Sequence, residues 1–349
     1  MRRDAVLSAV PLALAALLAG CASSPAAPAV TETVAAATPT PTPTPTPEVL
    51  LIGAGGRPPT VFGGDCAAAL PATAIEEAVG ISSATVEARR ESATVANVGG
   101  LACSWRGQNS AGGESSGSVW ILPQAGLGDA ALSSADEDYY FGECEGYWCS
   151  WRTTADGLEI IGGSGDPEAV TRAGADAQGS ALGALMPRAL DDEPWERDRT
   201  GWWQADSCNA LAAGLGESLG ASIAWAPMGY HDVPAPAHAL VDIASHTSWC
   251  LLTGGEPQGD GPHFAEVRLD AGIAWSVPGD YTATAHPVDA AGVTAYSVEE
   301  NLAYSLGSSV LLTDGVNVMQ LTVVPDGPWP AADVVEAAAE WIASTASQP

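Results

Sequence analysis

Lysine is absent from this 349-residue chain. All twelve cationic side chains are arginine, set against 42 Asp and Glu, for a formal charge of −30 with histidine neutral. A surface that acidic repels phosphate backbones and anionic lipid headgroups, which excludes nucleic acid as a partner. Solubility is the plain consequence of such charge; a cationic partner is the sharper one. A bilayer-spanning run is missing as well: the apolar stretch Ala5 to Leu18 falls short of the about 20 residues a spanning helix needs. Catalytic signatures are also scarce. The Gly-x-Ser-x-Gly pattern at 216–220 follows a helical segment, whereas a nucleophile elbow needs a strand before its serine, so Ser218 reads as a helix end and no catalytic residue is assigned.

Arg2 and Arg3 precede the apolar stretch, which stops at Leu18-Ala19-Gly20-Cys21. This order of charge, apolar core and small residues is that of a secretory signal over residues 1–20, and its end resembles the bacterial lipobox. The resemblance implies that Cys21 takes a diacylglycerol thioether and becomes the mature N-terminus, anchoring the protein to the outer face of the cytoplasmic membrane. Two or more acyl chains hold stably, each buried methylene contributing about 0.8 kcal/mol. Residues 21–58 read as a disordered linker, with Pro at every second position from Pro39 to Pro47. Proline fixes φ and removes donors, so the segment prefers polyproline II, and Cys21 to Glu48 could reach on the order of 80 Å.

Six cysteines remain after Cys21, an even count suited to an oxidising compartment; they allow fifteen pairings. An internal repeat narrows the choice. Residues 64–80 match 205–220, 101–107 match 247–254, and 116–123 match 271–278 with Trp120 over Trp275. Residues 151–161 match 309–319, each with an Asp-Gly hairpin signal, and each repeat closes in a Pro-initiated helix. The repeat pairs Cys66 with Cys103 and Cys208 with Cys250, which leaves Cys144 with Cys149. Thr73 to Glu76 read as a capping box, Gly80 as a helix stop, and Val334, Val335, Ala338, Trp341 and Ile342 as one apolar helix face. The expected fold is α+β: two tandem antiparallel-sheet domains with packed helices, stapled by disulfides, spanning 59–188 and 205–349. Residues 189–204 read as a charged linker, with Trp202 and Trp203 expected to be exposed at its end.

Cys66 to Leu70 with Cys103-Ser104-Trp105, and Cys208 to Leu211 with Trp249-Cys250, carry a further likeness. The chain resembles small actinobacterial surface lipoproteins of unknown function. That resemblance implies a fold related to PsbP-like domains and no established activity.

Two stretches offer binding chemistry. Residues 134–151 belong to the first repeat alone and cluster Asp136, Asp138, Glu143 and Glu145 with Tyr139, Tyr140, Tyr147 and Trp148 around the short Cys144–Cys149 loop. Flat amphipathic rings beside carboxylates suit a protein or cell-wall glycan partner, or calcium. His238, Asp242 and His246 are spaced by four, which aligns them on a helix or a strand and would suit zinc or copper. The sequence therefore favours a lipid-anchored, extracytoplasmic binding or envelope-associated module without catalysis or a cofactor. Its alternatives are a metal-binding lipoprotein using the His231–His246 segment and a cell-envelope hydrolase.

Overall fold

Leu50–Ile52 (β1) is a strand, although it falls in the stretch expected to be linker. The computed structural model describes residues 49–89, 92–135, 144–145, 148–165, 171–186, 195–204, 206–227, 236–254, 262–277, 284–286, 292–298 and 308–346. Cys21 and most of the Pro/Thr segment lie outside them. After β1 the chain forms α1 (Cys66–Ala69), α2 (Ala72–Val79), β2 (Ser82–Ala88), α3 (Ser92–Asn97), β3 (Leu101–Gln108) and β4 (Glu114–Pro123). Then come α4 (Gln124–Ala135), β5 (Cys144–Glu145), β6 (Trp148–Ala155), β7 (Leu158–Gly165) and α5 (Arg172–Leu185). β8 (Trp195–Arg197) follows. The second repeat runs α6 (Ser207–Ser218), β9 (Ile223–Pro227), α7 (Pro236–Ala244), β10 (Ser248–Gly254) and β11 (His263–Asp270). It ends with β12 (Thr284–His286), β13 (Thr294–Val298), β14 (Ser308–Thr313), β15 (Val318–Val323) and α8 (Ala331–Ala346).

Two large antiparallel sheets result, ordered β2-β3-β4-β7-β6-β5 and β9-β10-β11-β15-β14-β13-β12. Read this way, the first six strands of each follow one topology. Three disulfides staple the fold in the expected pairs: Cys66–Cys103, Cys144–Cys149 and Cys208–Cys250. In each repeat the bridge ties the first helix to the first central strand, and the strand beyond carries a valine opposite the second cysteine: Val119 faces Cys103 and Val267 faces Cys250. This register corrects one match. The counterpart of Trp120 is Arg268, not Trp275. Gly272, with φ 73°, takes the chain out of β11, and Trp275 lies in a short 3-10 turn over Ala274–Ser276.

Local chemistry sets most boundaries. Asp156 and Gly157 both have positive φ, 47° and 78°, in a two-residue turn with Ala155 opposite Leu158, the geometry that matches strand twist. The second Asp-Gly makes a longer, four-residue loop. There Asp314 Oδ1 accepts hydrogen bonds from the Val316 and Asn317 amides at 2.8 and 2.7 Å. Gly80 ends α2 in the left-handed region, as expected. The capping box does not form. Pro71 occupies the N-cap with φ −55° already fixed, Thr73 falls inside the helix, and the Glu76 carboxylate instead accepts from the Ala84 amide at 2.9 Å.

The first sheet is covered on both faces. On one, Trp105, Val119, Ile121, Trp151 and Ile160 pack under α1, α2 and α5. Trp151 lies flat between Gly162 and Gly179; a Cβ at either would come within 2.7 Å of its ring, so only glycine fits. On the other face, Ala102, Trp120, Leu122 and Ile161 pack with Val95, Val98, Leu127 and Ala131, and with Ala237, Leu240, Val241 and Ala244 of α7. A helix of the second repeat thus completes the core of the first. The second sheet packs α6 and α8 on one face, with Val334, Ala338, Trp341 and Ile342 buried as their spacing predicts. Residues 47–349 accordingly form one compact unit.

Candidate functional site

Residues 195–203 read as linker in sequence, but the structure builds them into the junction between the repeats. β8 pairs in parallel with β1, Leu50 opposite Trp195. Trp202 and Trp203 are each only 5% exposed, which corrects the expectation for both. They are buried because the second repeat has flat partners for them. Trp203 meets the Trp341 ring at 5.4 Å. Trp202 lies against Gly272, where a Cβ would come within 2.3 Å, and takes the His246 ring edge-on at 5.7 Å.

Arg197 is the centre of the junction. Its Nη1 donates to the Asn97 backbone oxygen and Oδ1 at 2.7 and 2.5 Å. Its Nη2 donates to the carbonyls of Ala54 at 3.3 Å, Gly56 at 2.7 Å and Gly272. One guanidinium therefore ties the strap before the first repeat to the end of α3 and to the turn after β11. Asn97, itself buried, donates from Nδ2 to the Ala271 carbonyl at 2.9 Å. Asn317, fully buried, donates to the Gly201 carbonyl at 2.8 Å and accepts from the Gly272 amide at 3.3 Å. The Arg197 cation rests over the Trp202 ring at 4.9 Å, and Arg199 lies over the same ring at 5.3 Å. Burial, then the neighbouring Arg199 charge, lowers the Arg197 pKa to about 10, so it stays charged at neutral pH.

Beside these arginines is an open cavity of about 250 Å³, walled by Val98, Ala125, Gly126, Trp195, Trp202 and Ala244 and edged by Asn97, Glu196, Arg197 and Arg199. Among the described residues the lining holds no Ser, Thr, Cys or His and a single carboxylate. Such a lining can bind and orient a molecule. One signal for it was present in the sequence. Trp195, Arg197 and Arg199 alternate with Glu196 and Asp198, the period of a strand with two unlike faces.

The residues singled out from sequence fall elsewhere. Asp136, Asp138, Tyr139, Tyr140, Glu143 and Tyr147 lie outside the described residues. Glu145 and Trp148 are paired partners in β5 and β6, next to the Cys144–Cys149 bridge at the edge of the first sheet. None of the described residues of 134–151 lines the junction cavity. His238 packs edge-on against Trp120 at 5.5 Å, and His246 places Nδ1 3.2 Å from the Trp203 carbonyl. The two rings serve different aromatic contacts. Among the described residues no three His, Cys, Asp or Glu side chains converge as a metal site requires. Ser218 is the last residue of α6, and its hydroxyl donates to Glu340 at 2.8 Å on the surface. In comparisons with known proteins the chain matches no family model, no curated protein and no solved structure.

Proposed function

We propose that the chain is a lipid-anchored extracytoplasmic protein that acts by binding and not by catalysis. Cys21 carries the lipid at the outer face of the bacterial cytoplasmic membrane, the Pro/Thr segment is the stalk, and the paired repeats are the binding head. The likeness to actinobacterial surface lipoproteins belongs to the same reading. The observation that carries the binding role is the junction cavity, which combines aromatic walls and two arginines with no nucleophile or acid–base pair among the described residues. Three disulfides in one chain support an oxidising compartment. A protein or cell-wall glycan partner for the 134–151 segment is a further part of the proposal, with Trp148 its aromatic anchor in β6.

The test is Cys21→Ser in the full chain, expressed in a bacterium that processes lipoproteins. The wild type should label with a fatty-acid analogue and fractionate with membranes, and the variant should do neither. Labelling of the variant at the wild-type level overturns the anchor. Turnover of an ester or a cell-wall glycan by the purified wild type overturns the non-catalytic role.

A further inference from the structure

In a chain with 42 acidic residues and twelve arginines, almost any arginine can be expected to find a carboxylate. Four do so among the described residues. Arg106 meets Glu87 at 3.7 Å, Arg152 meets Glu159 at 2.8 Å, Arg172 meets Asp176, and Arg268 meets Asp270 at 2.8 Å. Arg197 and Arg199 do not. Both edge one cavity, both lie over one tryptophan ring, and neither forms an ion pair among the described residues. Two like charges side by side with no counterion among the described residues are unfavourable, and the depressed Arg197 pKa registers its burial first and that repulsion second.

The two guanidiniums are not equivalent. Arg197 gives both Nη atoms to carbonyls, and its Nε is buried without a hydrogen-bond partner among the described residues. Arg199 is exposed, and its guanidinium makes no hydrogen bond among the described residues, so its planar donor fork is open to the cavity mouth. A guanidinium fork matches a carboxylate bidentately. The remaining walls, Val98, Ala125, Trp195 and Trp202, are apolar and flat and would gain nothing from a bare inorganic ion. At the ~30 Å³ occupied by a water molecule, the cavity of about 250 Å³ encloses roughly eight non-hydrogen atoms, and its open mouth leaves room for more.

We propose that the cavity between the repeats binds a small organic anion, a carboxylate on a flat apolar body, with Arg199 holding the carboxylate and Trp195 and Trp202 flanking the body. Arg197 is the positioning residue: its carbonyl cage fixes β8 and so presents Arg199 and both tryptophans to the ligand. The overall negative charge does not prevent this, because at physiological salt its field is screened over about 8 Å while Arg199 acts at contact. The inference rests on the binding role proposed above and names its ligand class.

The test titrates the full-length purified protein with benzoate, benzyl alcohol and inorganic phosphate, read by tryptophan fluorescence and by melting temperature. Benzoate should bind saturably and raise the melting temperature, with benzyl alcohol and phosphate each at least tenfold weaker. Arg199→Ala should weaken benzoate at least tenfold with an unchanged melting temperature for the free protein. Arg106→Ala, which removes an arginine already paired with Glu87, should leave benzoate binding as in the wild type. No saturable benzoate signal, equal binding by Arg199→Ala, or phosphate as tight as benzoate would each overturn the proposal. Those outcomes would leave lipid labelling at Cys21 and the absence of turnover standing, so the failure of this inference and the failure of the wider reading are distinguishable.

Discussion

A single guanidinium holds three separate stretches of chain at the repeat junction. Arg197 donates to carbonyls of the strap before the first repeat, of α3 and of the turn after β11. Hydrogen bonds from a charged group each contribute about 1.5–3 kcal/mol, and removing the donor leaves partly buried carbonyls unsatisfied. Arg197→Ala should therefore cost roughly 3 kcal/mol or more in urea denaturation. Arg199→Ala, at an exposed position two residues beyond the end of β8, should stay within about 0.5 kcal/mol of wild type. Similar unfolding midpoints for the two variants would mean that the cage does not hold the junction. The difference between these two arginines is invisible in sequence, where both sit in the same run of alternating charge. The carbonyls that surround Arg197 are contributed by residues 54, 56, 97 and 272, which nothing local connects to it.

At the level of elements, the disulfides separate by access. The five sulfur-bearing residues Cys66, Cys103, Cys149, Cys208 and Cys250 are buried, while Cys144 is half-exposed in β5 at the sheet edge. Exchange begins with a thiolate reaching a sulfur, so access sets the order of reduction. Under mild dithiol reductant without denaturant, Cys144 and Cys149 should take up alkylating reagent first, with the other four cysteines protected by mass spectrometry. Simultaneous labelling of all six would show that access does not control the order. Elements with local causes were the legible ones. Asp156-Gly157 dictates its own turn, Gly80 its own stop, and the cysteine pairs followed from two copies of one pattern. The capping box at Thr73 failed because Pro71 two residues earlier already fixes the helix entry. Trp275 was matched to Trp120 because an apolar-Trp-Pro pattern suits a short turn as well as a strand, and only register separates them. Burial of Trp202 and Trp203 depends on Gly272 and Trp341, far along the chain, and the charged residues around them carry no trace of those partners. Apart from the alternation over 195–199, the candidate cavity is hidden in sequence for the same reason: its walls come from both repeats and from the segment between.

Across the whole molecule, the repeats share a topology without being independent. The face of the first sheet that carries Trp120, Leu122 and Ile161 is covered in part by α7 of the second repeat. Expressed alone, residues 59–188 would lose that helix together with β1 and β8, and the uncovered apolar face would be exposed to water. The fragment should aggregate or bind a hydrophobic dye strongly, whereas residues 47–349 should remain monodisperse with little dye bound. A fragment 59–188 that melts cooperatively without dye binding would show that the first repeat is self-sufficient.

The pairing of β1 with β8 also sets an order of events in time. The strap hydrogen bonds of Arg197 to Ala54 and Gly56 span 143 and 141 residues. Each doubling of a loop adds only about 0.6 kcal/mol of closure entropy, but distant pairings form late because the intervening chain must be placed first. β1 is among the earliest of the described residues to be made, yet it has nothing to pair with until β8 has been synthesised. Until then Leu50 and Leu51, still 44% and 69% exposed after folding, belong to an open strand edge. The window between those two moments is when the chain is most prone to stick to its own copies. Its length is set by how fast the chain between β1 and β8 is made, not by the strength of the junction that eventually closes it.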